Sequence, residues 1–478
     1  MTNKKFYLTT TLPYVNADPH IGFALEIVHA DIIARYKRLT GAEVFFNTGT
    51  DEHGQKIFQA AQKEGKIVEA YVDHYAGTFE KLKTGLGLSY DSFIRTTSPV
   101  HVAAAQELWR RCAKDIEKKK YKGLYCVGDE AFIKESDLVD GKCPNHPNME
   151  IQEIEEENYF FKLSAYQDKL LAYLGRTDAV LPGWRREEAL NFVKGGLEDF
   201  SVSREKARMS WGIPVPGDET QIMYVWFDAL ANYISTLGWP EDKEGNFKKF
   251  WEEGEVVQMA GKDQVRFQSI MWQAMLMSAD IKNTDKVVYH GFITSDGQKM
   301  SKSLGNVVEP LALVGEYGTD AVRYFLARHI HPFDDSDFTT ERFKDAYNAD
   351  LANGIGNLTS RVMKMAEDNL SEPVKVDNHG YRFEGGYIEE SLNEYRVDKG
   401  MEYIWDKIGD LDREITEKKP FALLKQDPEG AKEIIKNLVL NLYRIGCMLG
   451  PFMPQTAEVI VEATRNNKKP ENLFPRKE

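Results

Sequence analysis

Hydrophobic and polar positions at the start of the chain predict a strand, a loop, a helix and a second strand. Residues 6–11 alternate and are rich in strand-forming side chains, and residues 13–19 carry the prolines and polar groups of a loop. Residues 24–39 repeat apolar side chains at helical spacing, and residues 43–48 return to a strand after a glycine. This order is typical of a doubly wound α/β domain with a parallel sheet, in which the first turn between strand and helix binds phosphate groups.

The pattern changes twice further along the chain. A lysine run, an acidic run and short-spaced metal-ligand residue types set residues 115–215 apart and indicate an insertion. The strand-and-helix pattern resumes at residues 222–227, 256–260 and 287–290, and from residue 346 apolar stripes at helical spacing predict a bundle of helices. The predicted organisation is an α/β domain split into residues 1–114 and 216–345, the insertion at 115–215, and an all-α domain at 346–478.

Composition narrows the class of protein. With 42% hydrophobic and 28% charged residues the chain is globular, and its net charge of −14 argues against a non-specific polyanion binder or a membrane-surface protein. Four cysteines in 478 residues are too few for a disulfide scaffold. The sequence shows no secretory signal and no apolar run long enough to span a bilayer, so we expect a cytoplasmic protein without a membrane partner.

Four residues at the start of the first predicted helix, His20-Ile21-Gly22-Phe23, are the first candidates for chemistry. A helix N-terminus offers free backbone N–H groups and a positive dipole end, both suited to phosphate. Gly22 lets a flat base or ribose approach the backbone, and His20 can donate a hydrogen bond to a phosphoryl oxygen. Taken alone, a histidine before a helix is more often an ordinary surface residue.

A second short segment, at residues 299–303, lies between two glycines and has the sequence KMSKS. Its two lysines place compact positive charges where they can bind a triphosphate, and its serines add hydrogen-bond donors. The alternative is an ordinary polar loop, although the full five-residue string argues against chance. The five residues are Lys299, Met300, Ser301, Lys302 and Ser303.

Together the two segments resemble the HIGH and KMSKS signature motifs of class I aminoacyl-tRNA synthetases. The second motif is complete, whereas Phe23 stands at the last position of the first, so the role of the family's second histidine does not carry over. Further segments are similar to methionyl-tRNA synthetases along nearly the whole chain. They are LPYVN at 12–16, TGTDEHG at 48–54, YVWFDA at 224–229 and NLTSR at 357–361.

The resemblance implies a fold and a reaction. The fold is a Rossmann-type catalytic domain with a zinc-knuckle-like insertion, followed by an all-α anticodon-binding domain. The reaction joins L-methionine to tRNA(Met) through methionyl-adenylate. ATP is bound with Mg²⁺ on its phosphates and is converted to AMP and diphosphate. In-line phosphoryl displacement needs positioning and charge neutralisation, the role that the resemblance gives to the catalytic residues His20, Lys299 and Lys302.

The resemblance also assigns the substrate sites. Asp51 matches the carboxylate that binds the substrate ammonium, and its alternative role is to cap a helix. The methionine side chain is enclosed by aromatic residues, which suit a polarizable thioether. The residues that match the methionine site are Leu12, Tyr14, Asp51, Trp226, Ala229, Tyr233 and Gln268. Gln268 stands where the family often has a histidine near the sulfur, and without the resemblance Trp226 and Tyr233 are core aromatics. The residues that match the ATP site are His20, Gly22, Phe23, Lys262, Asp263, His290, Gly291, Ile293, Lys299, Met300, Ser301 and Lys302.

Two pairs of metal-ligand residues in the insertion have the spacing of a zinc knuckle. They are Cys126 with Asp129 and Cys143 with His146, and the family usually has cysteine where Asp129 stands. We expect one structural Zn²⁺ bound by these four residues. The alternative is a metal-free loop in which Asp129 is solvated.

Three residues of the all-α domain match the positions that recognise the anticodon. Asn357 and Arg361 lie four residues apart, on one face of a predicted helix, and Phe421 stands at the position of a stacking tryptophan. Hydrogen bonds and stacking are the usual means of reading single-stranded bases. The sequence of this domain has no basic stripe that would indicate RNA binding by itself. The prediction of tRNA as a partner therefore rests on the resemblance.

Two other functions fit parts of the sequence. Synthetases for isoleucine, valine or leucine usually carry a long editing insertion, for which residues 115–215 are too few. A cysteine-specific enzyme would have a metal in its catalytic pocket, and the sequence shows no matching ligands there. A non-catalytic tRNA-binding relative has no need of His20, Asp51, Lys299 and Lys302, which are all present. The sequence shows no appended dimerisation domain, so we expect a monomer.

Overall fold

The structure is a computed structural model that describes residues 4–127, 131–133, 135–144, 147–300, 305–376 and 386–478. The chain divides into two compact units, each assembled from several stretches of sequence. The first unit comprises residues 1–19, 43–81 and 90–289, and the second comprises residues 20–42, 82–89 and 290–478. The boundaries of the four segments predicted from the sequence stay a prediction.

The strands belong to one six-stranded sheet and three smaller sheets. In chain order they are β1 (Lys5–Thr9), β2 (Glu43–Thr50), β3 (Ser92–Arg95), β4 (Ile116–Cys126), β5 (Ala131–Ile133), β6 (Ile151–Phe161), β7 (Val180–Leu181), β8 (Phe200–Ser201), β9 (Ser203–Glu205), β10 (Pro214–Val215), β11 (Asp218–Met223), β12 (Glu255–Gly261), β13 (Lys286–His290), β14 (Ile293–Ser295), β15 (Gln298–Lys299) and β16 (Ser336–Phe338).

The α-helices are distributed along the whole chain. In chain order they are α1 (Ile21–Leu39), α2 (Gln55–Lys63), α3 (Val68–Glu80), α4 (Leu82–Gly85), α5 (Pro99–Cys112), α6 (Gln167–Leu174), α7 (Gly183–Lys194), α8 (Val225–Leu230), α9 (Asn232–Ser235), α10 (Trp272–Ser278), α11 (Pro310–Tyr317), α12 (Thr319–Arg328), α13 (Thr340–Ala346), α14 (Asn357–Asn369), α15 (Tyr387–Asn393), α16 (Val397–Lys418), α17 (Pro420–Leu423), α18 (Pro428–Leu449) and α19 (Pro454–Asn466).

The six-stranded sheet confirms the predicted parallel α/β architecture. Its strand order is β3-β2-β1-β12-β13-β7, and β1 pairs in parallel with both β2 and β12. Four of the five residues of β1 are buried, because a parallel sheet of this class is covered on both faces. Strand β2, the next strand in the chain, lies on one side of β1, and β12 lies on the other side. The carboxyl end of β1 is therefore a topological switch point, the usual position of a ligand site.

The opposite charge runs of the insertion face each other across a long antiparallel ribbon. Strands β4 and β6 pair over eleven residues each, and Lys120 lies opposite Glu157 while Lys122 lies opposite Glu155. The Nζ of Lys122 is 2.8 Å from a carboxylate oxygen of Glu153. Opposite charges on neighbouring strands favour this register, although exposed pairs contribute only about 0.2–1 kcal/mol each.

The structure divides the strand-and-helix stretch predicted at 222–227 and corrects one helix start. The apolar stretch at 222–227 is a strand only as far as Met223, and helix α8 contains Trp226 and Phe227. Short apolar runs do not distinguish strand from helix, and β11 belongs to a small antiparallel sheet with β9 and β10. Helix α1 begins three residues before the predicted start because His20 caps it, its Nδ1 accepting from the backbone N–H of Gly22 at 3.1 Å.

The second unit is rich in helices, as predicted for the C-terminal part of the chain. From Thr340 to Asn466 the described elements are helical, and α16 and α18 are 22 residues long each. The predicted stripes are buried, apart from a half-buried Ile434, because they form the inner faces of these helices. Met401, Ile404, Ile408 and Leu411 lie on α16, and Ile435, Leu438, Val439, Leu442 and Ile445 lie on α18. Within the described ranges, no helix is long and apolar enough to cross a membrane.

Replacing Gly49 with alanine is expected to destabilise the central sheet. A Cβ on Gly49 would lie 1.8 Å from the backbone oxygen of Ile94 on the paired strand β3, so β2 and β3 must separate. We expect a loss of about 2 kcal/mol or more in the free energy of unfolding, measured by urea denaturation.

The matched control is Gly77→Ala on helix α3, where a Cβ meets no atom within 4 Å. Removing a helical glycine there should stabilise the protein by about 0.5–1 kcal/mol. Equal effects of the two substitutions would contradict the steric explanation.

Candidate active site

Asp51 lies at the carboxyl edge of the central sheet, between the ends of β1 and β2. Its backbone N–H donates to the oxygen of Pro13 at 3.0 Å, and its own carbonyl accepts from the N–H of Val15 at 3.3 Å. These two bonds join the loop after β1 to the residue that follows β2. Asp51 is only 3% exposed, so its carboxylate is held in a site largely shielded from water. Leu12, half-buried, belongs to the same loop.

An aromatic cluster in the first unit contains two of the predicted pocket residues. The rings of Tyr14 and Trp226 meet edge to face with centroids 6.3 Å apart, and Phe267 stacks on Trp226 at 3.9 Å with an interplanar angle of 15°. The Nζ of Lys56 lies 5.6 Å from the centroid of Tyr14. Trp226 is half-buried, which argues against the alternative of a core aromatic. Phe267 directly precedes Gln268 but was not predicted from the sequence as a site residue.

The other pocket candidates are deeply buried. Tyr233 is 2% exposed, its carbonyl accepts from the hydroxyl of Tyr7 at 2.7 Å, and its own hydroxyl accepts from Nε2 of Gln268 at 2.5 Å. The Oε1 of Gln268 has no hydrogen-bond partner among the described residues. Ala229, which is 7% exposed, follows Trp226 on α8. Gln268 therefore fixes Tyr233 and leaves a buried acceptor unsatisfied, where a histidine would present an imidazole.

Lys262 and Asp263 lie at the end of β12, the neighbour of β1 in the sheet. They form a single 3₁₀ turn directly after the strand, and Asp263 is exposed while Lys262 is half-buried. Parallel neighbours end at the same edge of a sheet, so these residues share the edge that carries Asp51. The Asp263 carboxylate accepts from Nε2 of Gln264 at 2.9 Å and remains accessible to a hydroxyl donor.

The predicted phosphate residues of α1 belong to the second unit. His20 accepts the Gly22 N–H at Nδ1, so a neutral imidazole carries its proton on Nε2 and can donate from that atom. The residue reaches the surface, yet desolvation by the protein around it lowers the pKa of the imidazole, which favours this neutral form. A Cβ on Gly22 would lie 2.9 Å from the His20 ring and 4.0 Å from Cε of Met300, so Met300 is close to this helix start.

Helix α1 also binds His290, the predicted nucleotide residue that ends β13. The carboxylate of Glu26 lies 2.8 Å from Nε2 of His290, and both side chains are buried. Gly291 comes next, and a Cβ there would lie 2.2 Å from the backbone of Asp334. Ile293, 5% exposed, begins β14. The second unit thus brings His290 to the helix that begins at the predicted phosphate site. Phe23, half-buried, lies in the first turn of this helix.

Some predicted residues lie outside the described part of the chain. These are Asp129 and His146 of the metal pairs and Ser301, Lys302 and Ser303 of the KMSKS segment. Lys299 ends strand β15. Cys126 and Cys143 are both fully buried, and no cluster of three or more His, Cys, Asp or Glu side chains within the described ranges could hold a metal ion.

The predicted anticodon residues lie on two helices of the second unit. Asn357 is exposed at the start of α14, and Nη1 of Arg361 on the same helix donates to Oδ1 of Asp412 at 2.5 Å. Phe421, on α17, is 55% exposed. It follows Lys419, whose φ of +44° is in the left-handed region and turns the chain sharply after α16.

A buried carboxylate between two imidazoles was not found from the sequence. Oδ2 of Asp228 lies 2.7 Å from Nδ1 of His53, and Oδ1 lies 2.7 Å from Nε2 of His101. Burial raises the pKa of the Asp228 carboxyl, but the two imidazoles outweigh it and the net shift is downwards. His53 and Asp228 stand in two of the recognised segments, TGTDEHG and YVWFDA, which is the only sequence signal for this network.

Comparison with known proteins identifies the class of this fold and site. The family described as tRNA synthetases class I (M) matches residues 6–154 and 148–363. The parallel sheet and the two signature segments therefore define a class I aminoacyl-tRNA synthetase. A methionine–tRNA ligase of Mesorhizobium japonicum is 39% identical over 97% of this chain and 92% of its own length. One from Clostridium acetobutylicum is 40% identical over 96% of this chain and 73% of its own length. The chain belongs to the methionyl-tRNA synthetase family.

Solved structures agree with this assignment. The Mycobacterium tuberculosis methionyl-tRNA synthetase in complex with methionyl-adenylate aligns with a TM-score of 0.89 at 37% identity. The alignment covers 96% of this chain and 93% of that one. A second structure of that protein bound by methionyl-adenylate gives a TM-score of 0.88 at 35% identity and covers 99% of both chains.

Replacing Gly22 with alanine is expected to displace the His20 imidazole, because the new Cβ would lie 2.9 Å from the ring. We expect methionine-dependent pyrophosphate exchange to fall at least about tenfold, the size of effect that follows from misplacing a reacting group. The matched control is Gly315→Ala on α11, where a Cβ meets nothing within 4 Å. Unchanged exchange in Gly22→Ala would show that the position of His20 is not needed.

The buried His29 makes stability depend on pH. Burial lowers the pKa of His29 to about 4, below an unfolded value of about 6.5. The folded state therefore binds this proton more weakly, and its contribution to stability is complete above about pH 6.5 and is lost as pH falls towards about 4.

We expect the difference in unfolding free energy between about pH 7 and pH 5 to shrink by about 2 kcal/mol in His29→Gln, measured by urea denaturation. The amide can still donate to the backbone oxygen of Leu326, as the His29 ring does at 2.9 Å. The exposed His74→Gln is the control and should keep the wild-type difference. An unchanged difference in His29→Gln would contradict the assignment.

Proposed function

We propose that this chain is a methionine–tRNA ligase that joins L-methionine to tRNA(Met) for translation initiation and elongation, using ATP and releasing AMP and diphosphate. Family membership supports the reaction. The observation that carries the choice of substrate is the buried Asp51 carboxylate in the unit that also holds the half-buried rings of Tyr14 and Trp226. A carboxylate suits the ammonium of an amino acid, and aromatic rings suit a polarizable thioether.

The amino acid is recognised by charge at one end and by shape at the other. Asp51 pairs with the ammonium, while Tyr14 and Trp226 enclose the unbranched side chain. Tyr233 is fixed by Gln268 and presents a rigid wall. Branched side chains fit such a slot poorly, at a cost of about 1–3 kcal/mol for each misfit group. The proposed methionine contacts are Leu12, Tyr14, Asp51, Trp226, Ala229, Tyr233 and Gln268.

Activation of methionine is an in-line displacement at phosphorus. A carboxylate oxygen of methionine attacks the α-phosphorus of ATP, the bond from that phosphorus to the bridging oxygen breaks, and diphosphate leaves with the electron pair. ATP enters as its magnesium complex, whose phosphate oxygens are suitable ligands for the ion. The His20 Nε2–H can donate to a phosphoryl oxygen, and Lys299 and Lys302 neutralise the leaving diphosphate.

The remaining nucleotide contacts support the same step. Gly22 keeps the start of α1 open to ATP, and Asp263 has the carboxylate needed to accept from ribose hydroxyls. His290 is oriented by Glu26. The other proposed ATP contacts are Phe23, Lys262, Gly291, Ile293, Met300 and Ser301.

Transfer to tRNA completes the reaction. A hydroxyl of the terminal ribose of tRNA attacks the carbonyl carbon of the adenylate, and AMP leaves as the ester forms. The second unit supplies residues suited to anticodon bases, since Asn357 is exposed and Phe421 offers a ring for stacking. Arg361 pairs with a half-exposed Asp412, a contact weak enough to be exchanged for a base.

We also propose a structural zinc ion in the insertion. The two fully buried thiols of Cys126 and Cys143 suit zinc, and Asp129 and His146 complete an S₂ON donor set of the kind that tetrahedral zinc accepts. Zinc would stabilise this loop, and no step of the reaction depends on it. Because the charged tRNA is used in translation, we propose that the protein acts in the cytoplasm. That it is a monomer stays a prediction.

Pyrophosphate exchange with single amino acids tests the proposed function. Methionine should support the fastest exchange when it is compared with leucine, isoleucine, valine and cysteine at equal concentration. Asp51→Asn should raise the KM for methionine by about 10- to 100-fold, the value of a hydrogen bond to a charged group, and leave the KM for ATP unchanged.

The control is Asp73→Asn, an exposed carboxylate that pairs with Arg95 in the same unit. It should leave both constants unchanged. Faster exchange with any other amino acid, or equal effects of Asp51→Asn on both KM values, would overturn the assignment.

A further inference from the structure

The buried Asp228 carboxylate connects two parts of the amino-acid site that are far apart in sequence. It lies on α8, two residues after Trp226 and directly before Ala229. Its Oδ2 lies 2.7 Å from Nδ1 of His53, which is two residues after Asp51. One side chain therefore joins the helix that carries the aromatic wall to the loop that carries the proposed ammonium ligand.

The connection continues from His53 to the Asp51 carboxylate itself. The backbone N–H of His53 donates to Oδ1 of Asp51 at 3.4 Å. The His53 ring also lies against Trp211, with centroids 5.4 Å apart, and Nε1 of Trp211 donates to the carbonyl of Glu52 at 2.6 Å. The loop is thus held at three successive residues, and the His53–Asp228 bond is its link to α8.

The other carboxylate oxygen is held just as firmly. Oδ1 of Asp228 lies 2.7 Å from Nε2 of His101 on α5, and Nδ1 of that ring lies 3.0 Å from the hydroxyl of Ser235. Asp228 and His101 are both 0% exposed. A carboxylate without water must take its hydrogen bonds from protein donors, so both imidazoles are fixed in direction by one charge.

We propose that Asp228 is a positioning residue for amino-acid recognition: through His53 it fixes the Asp51 carboxylate relative to the aromatic wall on α8. The groups that bind the ammonium and the thioether of methionine are then held at a fixed distance from each other. Asp228 itself does not have to touch the substrate. This inference rests on the proposed function, since it assigns the ammonium to Asp51.

Asp228→Asn is the decisive variant, because it changes hydrogen bonding with little change of shape. An amide has only one acceptor oxygen, so it cannot receive an N–H from both imidazoles as the carboxylate does. Two probes that lack the carboxylate of methionine separate positioning from general damage. Methioninol keeps the thioether and the ammonium, whereas methylthiobutanol lacks the amino group. The measured quantity is the ratio of their dissociation constants, obtained by titration calorimetry on the full chain.

In the wild-type protein methioninol should bind about 10- to 100-fold more tightly than methylthiobutanol, because of its charged contact with Asp51. Asp228→Asn should reduce this ratio by about tenfold, towards the ratio measured for Asp51→Asn. Methylthiobutanol should bind nearly as well as before. A role in stability alone would weaken both probes equally and leave the ratio unchanged, and that result would overturn the proposal.

The control for loss of a buried carboxylate is Asp320→Asn. Asp320 is 4% exposed and caps α19, its Oδ2 accepting from the backbone N–H of Thr456 at 2.6 Å. This variant should lower the melting temperature and keep the wild-type ratio. If Asp320→Asn changes the ratio as much as Asp228→Asn does, the effect is one of stability and the inference fails.

Variants of His53 test the route and remain informative if Asp228→Asn does not fold. His53→Ala keeps the Asp228 charge but removes the link, so it should lower the ratio as Asp228→Asn does. His53→Asn carries an amide N–H close to the position of Nδ1 and should restore most of the ratio. A normal ratio in His53→Ala would overturn the positioning route, because the charge of Asp228 would then act without His53.

If the wild-type protein shows no preference for methioninol and no methionine-dependent pyrophosphate exchange, the proposed function fails and takes this inference with it. If exchange with methionine is normal but the ratio stays constant across the Asp228 and His53 variants, the inference alone is wrong.

Discussion

A fully buried ion pair between Asp31 on α1 and Arg323 on α12 organises the second unit. The two charged groups are 2.8 Å apart and 0% exposed, and Arg323 also donates to the carbonyl oxygens of Leu86, Pro451 and Phe452. Burial raises the pKa of Asp31, but Arg323 and Arg35 outweigh it and the net pKa is lowered. Removing one partner of such a pair leaves an unsatisfied charge, which typically costs about 3–5 kcal/mol. Helix α1 is therefore held by the helices of the second unit, although β1 and β2 flank it in sequence.

This ion pair joins residues that are far apart in the chain, so it marks the limit of what the sequence predicts about the fold. Strands β1 and β2 and helix α1 were predicted because each depends on a local pattern of apolar positions, and the long helices α16 and α18 were predicted for the same reason. The grouping of α1 with the second unit was not predictable, since it depends on a residue far along the chain. The strand-and-helix pattern predicted at 222–227 is present, but its apolar run suits a strand or a helix equally, and only the structure places the change from β11 to α8 at Tyr224.

The candidate site shows the same division. Asp51, Trp226 and His20 stand in segments whose residue types recur in a known family, so their identity could be read without coordinates. The stack of Phe267 on Trp226 and the two imidazoles around Asp228 depend on tertiary contacts that no spacing records. Gln268 illustrates the limit of family resemblance. The sequence shows that glutamine stands where the family often has histidine, but only the structure shows that its amide donates a hydrogen bond to the Tyr233 hydroxyl.

The long ribbon of β4 and β6 has a consequence for the behaviour of the chain in concentrated solution. In the described part of the chain, β5 pairs with only three residues of β4, and β8 pairs with only two residues of β6. Much of the outer edge of β4 therefore presents backbone groups that a foreign strand can bind, whereas Ser203, Glu205 and Gln221 bind backbone groups along the outer edge of β6. Strand edges are protected when charged side chains must be desolvated before a neighbour can approach. The lysines of β4 and the glutamates of β6 meet this condition, so the charge runs that set the pairing register also discourage aggregation.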